Sequence, residues 1–94
     1  METLTSRQER LLGLIVREYV EFPRKSGVSS KRIVDKHKLD CSSATVRNEM
    51  AALTRSGLLN QPYTSAGRIP TEAGYRYFVG RLVKDDYLPS AERR

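Results

Sequence analysis

Residues 42–53 read SSATVRNEMAAL. The spacing predicts a helix from Ser43 to Arg55, with Ser42 as its N-cap and Gly57 as its stop. Val46, Met50 and Leu53 stand at i, i+4 and i+7, so at about 100° per residue they share one side. The other side holds Ala44, Asn48, Ala51 and Arg55, flanked by Thr45, Arg47 and Ala52. A merely solvated face would be rich in Glu and Lys. This one is small and polar, with one guanidinium and one amide near its start.

On the N-terminal side, Ser29 or Ser30 can cap a short second helix from about Ser30 to Lys38, its thin apolar face made by Ile33, Val34 and His37. Leu39, Asp40 and Cys41 form a tight connection to the third helix. Further upstream, Thr5 or Ser6 can cap a first helix running to about Val20, with Leu11, Leu14, Ile15, Tyr19 and Phe22 at helical spacing. Pro23 and the Ser-Gly pair at Gly27 then break the chain.

On the C-terminal side, Leu58–Gln61 and Arg68–Ile69 read as two short strands joined by a Pro-Tyr-Thr-Ser-Ala-Gly turn. Thr71 can cap a fourth helix ending near Val83, with Tyr75, Phe78, Val79 and Leu82 on its apolar face and Glu72 in its first turn. Residues 1–84 are expected to form one domain and 85–94 a loose tail. The order of helix, short helix, tight turn, helix, hairpin and helix is that of a winged helix-turn-helix. The expected class is mainly α (α+β): a three-helix core, a small β-hairpin wing and a C-terminal helix.

A chain of 94 residues suits one domain. No apolar run approaches the roughly 18 residues that a membrane span needs, and the N-terminus has no signal-peptide core. Cys41 is the single cysteine, which excludes an internal disulfide and favours the cytoplasm. The net charge of +6 is unevenly placed: residues 23–47 hold seven Lys or Arg against two Asp, whereas residues 1–22 hold three Arg against four Glu. Such asymmetry points to a polyanion partner.

Three segments then bear on function. The start of the third helix suits base edges in a major groove: Arg47 can bond guanine bidentately, Asn48 can pair with adenine, Thr45 lies beside them, and Ser42 and Ser43 suit phosphate oxygens. The hairpin supplies Thr64, Ser65 and Arg68 for phosphates or a minor groove. The basic run KRIVDKHK, with Arg24 and Lys25, offers Lys31 and Lys36 for phosphate attraction. An ordinary capped amphipathic helix, a polar hairpin turn and a solvated face remain the alternatives, segment by segment. Their coincidence in this order favours double-stranded DNA. RNA binding would need exposed stacking aromatics, and only Tyr63 is placed for that. His37 has no Cys or His at metal-ligand spacing, so no metal or other cofactor is expected. No phosphate loop, paired carboxylates or nucleophile triad is present, so the chain does not read as an enzyme.

The stretch from Ser42 to Val79, SSATVRNEMAALTRSGLLNQPYTSAGRIPTEAGYRYFV, closely resembles the N-terminal DNA-binding domain of the bacterial heat-inducible transcription repressor HrcA family. The opening TSRQERLLGLIVREYVE looks like that family's first helix, and SGVSSK departs from the family's usual Glu-Pro-Val-Gly-Ser-Lys. The resemblance implies a stress-response repressor of chaperone operons. It would bind an inverted-repeat operator as a homodimer, with the chaperonin GroE as modulator. Dimerisation and sensing are expected to lie in family regions outside these 94 residues. A winged helix used as a protein-interaction module, or as the DNA-binding head of a regulator of other genes, is the competing reading.

Overall fold

A computed structural model of the chain describes residues 4–62 and 67–85. Four helices and a two-stranded sheet follow in the order α1 (Ser6–Glu21), α2 (Ser30–His37), α3 (Ser43–Arg55), β1 (Leu59–Asn60), β2 (Ile69–Pro70) and α4 (Glu72–Asp85). This is the winged-helix arrangement expected from the sequence. Among the described residues no helix is long and apolar enough to cross a membrane.

Local chemistry sets each helix boundary. Thr5 starts α1 through a reciprocal capping box: Gln8 N–H donates to Thr5 Oγ1, and Thr5 N–H donates to Gln8 Oε1, each over 3.1 Å. The helix stops at Phe22, because the residue before Pro23 is disfavoured in the helical region. Ser29 caps α2 by accepting from Arg32 N–H at 3.1 Å. Lys38 ends it with φ 50°, a left-handed turn made without glycine. Ser42 caps α3 by accepting from Thr45 N–H at 3.1 Å.

At the far end of α3, Gly57 takes φ 83°. Its N–H donates to the Thr54 carbonyl, and Leu58 N–H donates to the Leu53 carbonyl, both at 3.0 Å. This pair of bonds is a Schellman closure, and it turns the chain directly into β1. Thr71 then links two elements: its hydroxyl donates to the Gly57 carbonyl at 2.6 Å and accepts from Gly74 N–H at 3.1 Å, which caps α4.

The core gathers on α3. Val46, Met50 and Leu53 are fully buried, as their spacing predicts. Ile33 of α2, Val28, and Leu58 and Leu59 before and in β1 close around them. The buried face of α1 is broader than its expected stripe. Leu12 and Val16 are buried with Leu11 and Ile15, whereas Leu14 and Tyr19 are half-buried and Phe22 is 44% exposed. The reason is that α1 packs against α3 and β2 as well as α4.

On α4, Phe78 lies against Gly13 of α1, where an added Cβ would stand 3.2 Å from the ring. Tyr77 rather than Val79 faces inward: its hydroxyl donates to Glu9 Oε2 at 2.7 Å, and Val79 is 53% exposed. That bond to Glu9, together with burial, raises the Tyr77 pKa.

The hairpin is antiparallel, with Leu59 opposite Pro70 and Asn60 opposite Ile69. β2 begins one residue later than expected, because Arg68 pairs instead with Val28 in an isolated antiparallel bridge. The segment between α1 and α2 therefore joins the base of the wing. The expected tail lies outside the described residues from position 86 onward.

Candidate nucleic-acid interface

Burial of Val46, Met50 and Leu53 fixes which side of α3 faces out. Ala44, Arg47, Asn48 and Arg55 are exposed, and Thr45, Ala51 and Ala52 are partly so. Among the described residues no hydrogen bond or ion pair engages the side chain of Arg47 or Asn48. A guanidinium and an amide thus stand uncommitted on a ridge of small side chains, so the helix backbone can approach a partner closely.

Around the start of α3 the hydroxyls of Ser42 and Thr45 are already occupied. Ser42 Oγ accepts from Thr45 N–H and lies 3.1 Å from Thr45 Oγ1, so these two side chains bond each other. What remains for an anion is the Ser43 hydroxyl and the first-turn amides of Ser43 and Ala44, because the Thr45 N–H is taken by Ser42. Lys31, on α2, is 81% exposed and meets Asp35 Oδ2 at 2.9 Å. An exposed pair of this kind contributes little, so a phosphate can take the ammonium at small cost.

Much of the basic run is committed inside the protein. Glu18 of α1 is 3% exposed and receives Arg32 Nε on one carboxylate oxygen and Lys36 Nζ, at 2.7 Å, on the other. Burial pushes the Glu18 pKa up. The hydrogen bonds from Lys36 and Arg32, with their charges, outweigh burial and leave it lowered. Both cations also lie over the Phe22 ring, Arg32 at 5.5 Å and Lys36 at 4.8 Å from its centre. Lys36, expected to attract phosphate, is therefore a clamp between α1 and α2. Spacing contained the signal: Leu11, Ile15 and Glu18 stand at i, i+4 and i+7, which puts an acid on the buried face.

The wing residue Arg68 has a similar fate. It is 8% exposed, and its Nε donates to Thr54 Oγ1 of α3 at 2.9 Å. Thr54 in turn donates to the Met50 carbonyl at 2.8 Å. Burial lowers the Arg68 pKa. The sequence suggests a groove or a phosphate for this side chain; in the structure its Nε bonds inward to α3. Thr64 and Ser65, the other expected wing contacts, lie outside the described residues, as does Tyr63. Lys31 thus stands on α2, Ser42, Ser43, Thr45, Arg47 and Asn48 stand at the cap and in the first half of α3, and Arg68 is buried against the C-terminal half of α3. Among the described residues no cluster of His, Cys, Asp or Glu could hold a metal ion.

No protein-family model matches the chain. It is 48% identical over 91 residues to the heat-inducible transcription repressor HrcA of Chloroflexus aurantiacus, an alignment covering 97% of this chain and 24% of that protein. The HrcA of Mycolicibacterium gilvum is 50% identical over 94 residues, covering 100% of this chain and 27% of the relative. For the HrcA of Beutenbergia cavernae the identity is 50% over 88 residues, covering 94% and 24%. A crystal structure described as that of a hypothetical protein superimposes with a TM-score of 0.79 and 44% identity, covering 87% of this chain and 25% of the other. The chain spans about a quarter of the length of the curated relatives it matches. It belongs to the family of the heat-inducible transcription repressor HrcA, as a counterpart of that protein's N-terminal part.

Proposed function

We propose that this chain is a sequence-specific double-stranded DNA-binding unit of a heat-inducible transcription repressor, acting by occupying a promoter operator. The observation that carries the reading is the outward face of α3, where Arg47 and Asn48 stand exposed and unengaged among small residues. Inserted in a major groove, Arg47 bonds a guanine edge and Asn48 an adenine edge, with Thr45 beside them. The first-turn amides at Ser42 and Ser43, together with Lys31, hold phosphates and fix the register. Thr64 and Ser65 extend the backbone contacts along the wing. Occupancy of the operator blocks transcription, and the role needs no cofactor and no catalysis.

An inverted-repeat operator takes two such units, one per half-site, from a homodimer. Dimerisation and modulation by the chaperonin GroE belong, in this reading, to the other three quarters of the relatives' length. The relatives' printed name, a heat-inducible transcription repressor, supports the cellular role, in the cytoplasm.

Fluorescence anisotropy across a salt series tests the reading, using a duplex with the inverted repeat and a scrambled duplex of equal composition. Tighter binding to the repeat that persists as salt rises supports base readout. Equal binding to both duplexes that collapses with salt leaves only phosphate attraction and overturns sequence-specific recognition by this chain.

A further inference from the structure

We propose that the Arg24–Gly27 turn is an additional phosphate-binding element, which grips the DNA backbone beside the wing and outside the bases read by α3. The inference rests on the DNA-binding reading above.

The first argument is mechanical. Gly27 N–H donates to the Arg24 carbonyl at 3.0 Å and closes the turn. The turn is bonded in its own right to the base of the wing. Gly67 N–H donates to the Ser26 carbonyl at 2.9 Å, and Val28 and Arg68 exchange both backbone hydrogen bonds at 2.8 Å each. The two backbones are pressed together. A Cβ on Gly67 would stand 2.2 Å from the Val28 carbonyl oxygen, and one on Gly27 would stand 2.7 Å from that of Arg68. Gly27 also takes φ 81°, which a side chain would strain. Turn and wing base form one unit, so a wing lying along a duplex brings Arg24 and Lys25 with it.

The second argument is electrostatic. Within residues 23–47, Arg32 and Lys36 are both bonded to Glu18, with Glu21 3.8 Å from Lys36, and Lys31 faces Asp35. Arg24 and Lys25 are exposed, and among the described residues neither side chain has a hydrogen bond or ion pair. The adjoining first turn of α2 carries no acid. A phosphodiester meets no competing internal partner here: Arg24 can take it bidentately, and Lys25 adds a point charge. These contacts carry no sequence information, so they add affinity and orientation while α3 supplies specificity.

The test is anisotropy of the full 94-residue chain on repeat and scrambled duplexes with long flanks, comparing it with the double variant Arg24→Ala, Lys25→Ala. Two lost phosphate contacts lower the slope of log affinity against log salt by about 1.8, at about 0.9 each. Affinity for both duplexes falls by a common factor, and the thermal midpoint stays in place. The pair Arg24→Gln, Lys25→Gln gives the same result with a side chain retained. Trimming the flanks weakens the unaltered chain and leaves the double variant unchanged. Arg10→Ala, an exposed arginine lining the groove between α1 and α4, leaves the slope where it was. An unchanged slope in both double variants, with the unaltered chain still binding, overturns this proposal alone. Absence of duplex binding by the unaltered chain overturns the DNA reading and this proposal with it.

Discussion

Arg68 Nε donates to Thr54 Oγ1 across 2.9 Å, and this contact joins the base of the wing to the C-terminal half of α3. Since Thr54 also donates to the Met50 carbonyl, the chain of bonds ends on the backbone of α3 beside a core residue. A wing held this way keeps a fixed angle to α3, the helix proposed to read bases. Thr54→Val leaves a buried guanidinium N–H without this acceptor and is expected to cost about 2 kcal/mol of stability. Arg68→Met removes the charge and the donor together and should cost less. Chemical denaturation of both variants checks the order. On DNA, Arg68→Met should leave the salt slope unchanged, whereas a phosphate contact at Arg68 would show as a loss of about 0.9.

Glu18 supplies a second prediction, through pH. Its folded-state pKa lies below the ordinary carboxylate value of 4.5, because the bonds and charges of Lys36 and Arg32 outweigh burial. Folding therefore binds fewer protons at this site than the unfolded chain does. The stabilisation is fully present above the unfolded value and is lost as pH falls through the folded one. Glu18→Gln should cost about 2 kcal/mol at neutral pH. That is less than the ~3–5 kcal/mol of a wholly buried pair, because the Arg32 and Lys36 side chains keep 37% exposure. Thermal melts from pH 7 to pH 3 should show the gap between wild type and variant closing below about pH 4.5. A gap that stays constant across that range would remove the clamp as a contributor to acid lability.

How much of this was legible in advance follows from what each signal depends on. The boundaries and buried face of α3 depend on spacing and caps, which are local, and they were read correctly from Ser42, Val46, Met50, Leu53 and Gly57. The fates of Glu18, Lys36 and Arg68 depend on partners 14 to 18 positions away, and charge counting treats every cation as free. The bridge between Val28 and Arg68 is likewise nonlocal: the Ser-Gly pair reads as a break, and nothing near it marks a backbone pressed against the wing. The apolar pattern of α4 favours Val79 over Tyr77 for its inner face because it does not register a phenol that reaches a carboxylate on another helix.

Specificity and affinity should separate on mutation. Arg47 is exposed and unengaged, so Arg47→Ala should leave the thermal midpoint unchanged. It should cost about 1–3 kcal/mol of operator affinity and relax discrimination at one base pair. Lys31→Ala should weaken the repeat and scrambled duplexes alike and lower the salt slope by about 0.9. Anisotropy on single-base variants of the operator distinguishes the two patterns. Equal losses on all duplexes for Arg47→Ala would move that side chain from base edge to phosphate.

Two glycines of α4 should respond to alanine with opposite sign. Gly80 is exposed, and a Cβ there meets nothing within 4 Å. Alanine is the better helix former, so Gly80→Ala should stabilise by about 0.5–1 kcal/mol. Gly74 is buried where α4 begins, and a Cβ there would stand 2.2 Å from the Leu58 carbonyl oxygen, well inside contact distance. That oxygen belongs to the backbone: Leu58 is held by its own bond to Leu53, and its carbonyl accepts from Thr71 N–H at 3.1 Å, so it has little room to yield. Gly74→Ala should therefore destabilise by about 2 kcal/mol or more despite its better helix propensity. Because the strain falls where α3, β1 and α4 meet, it should also loosen the wing and reduce operator affinity. Urea unfolding of the two variants side by side reads both signs, and stabilisation by Gly74→Ala would mean that α4 sits farther from Leu58 than described.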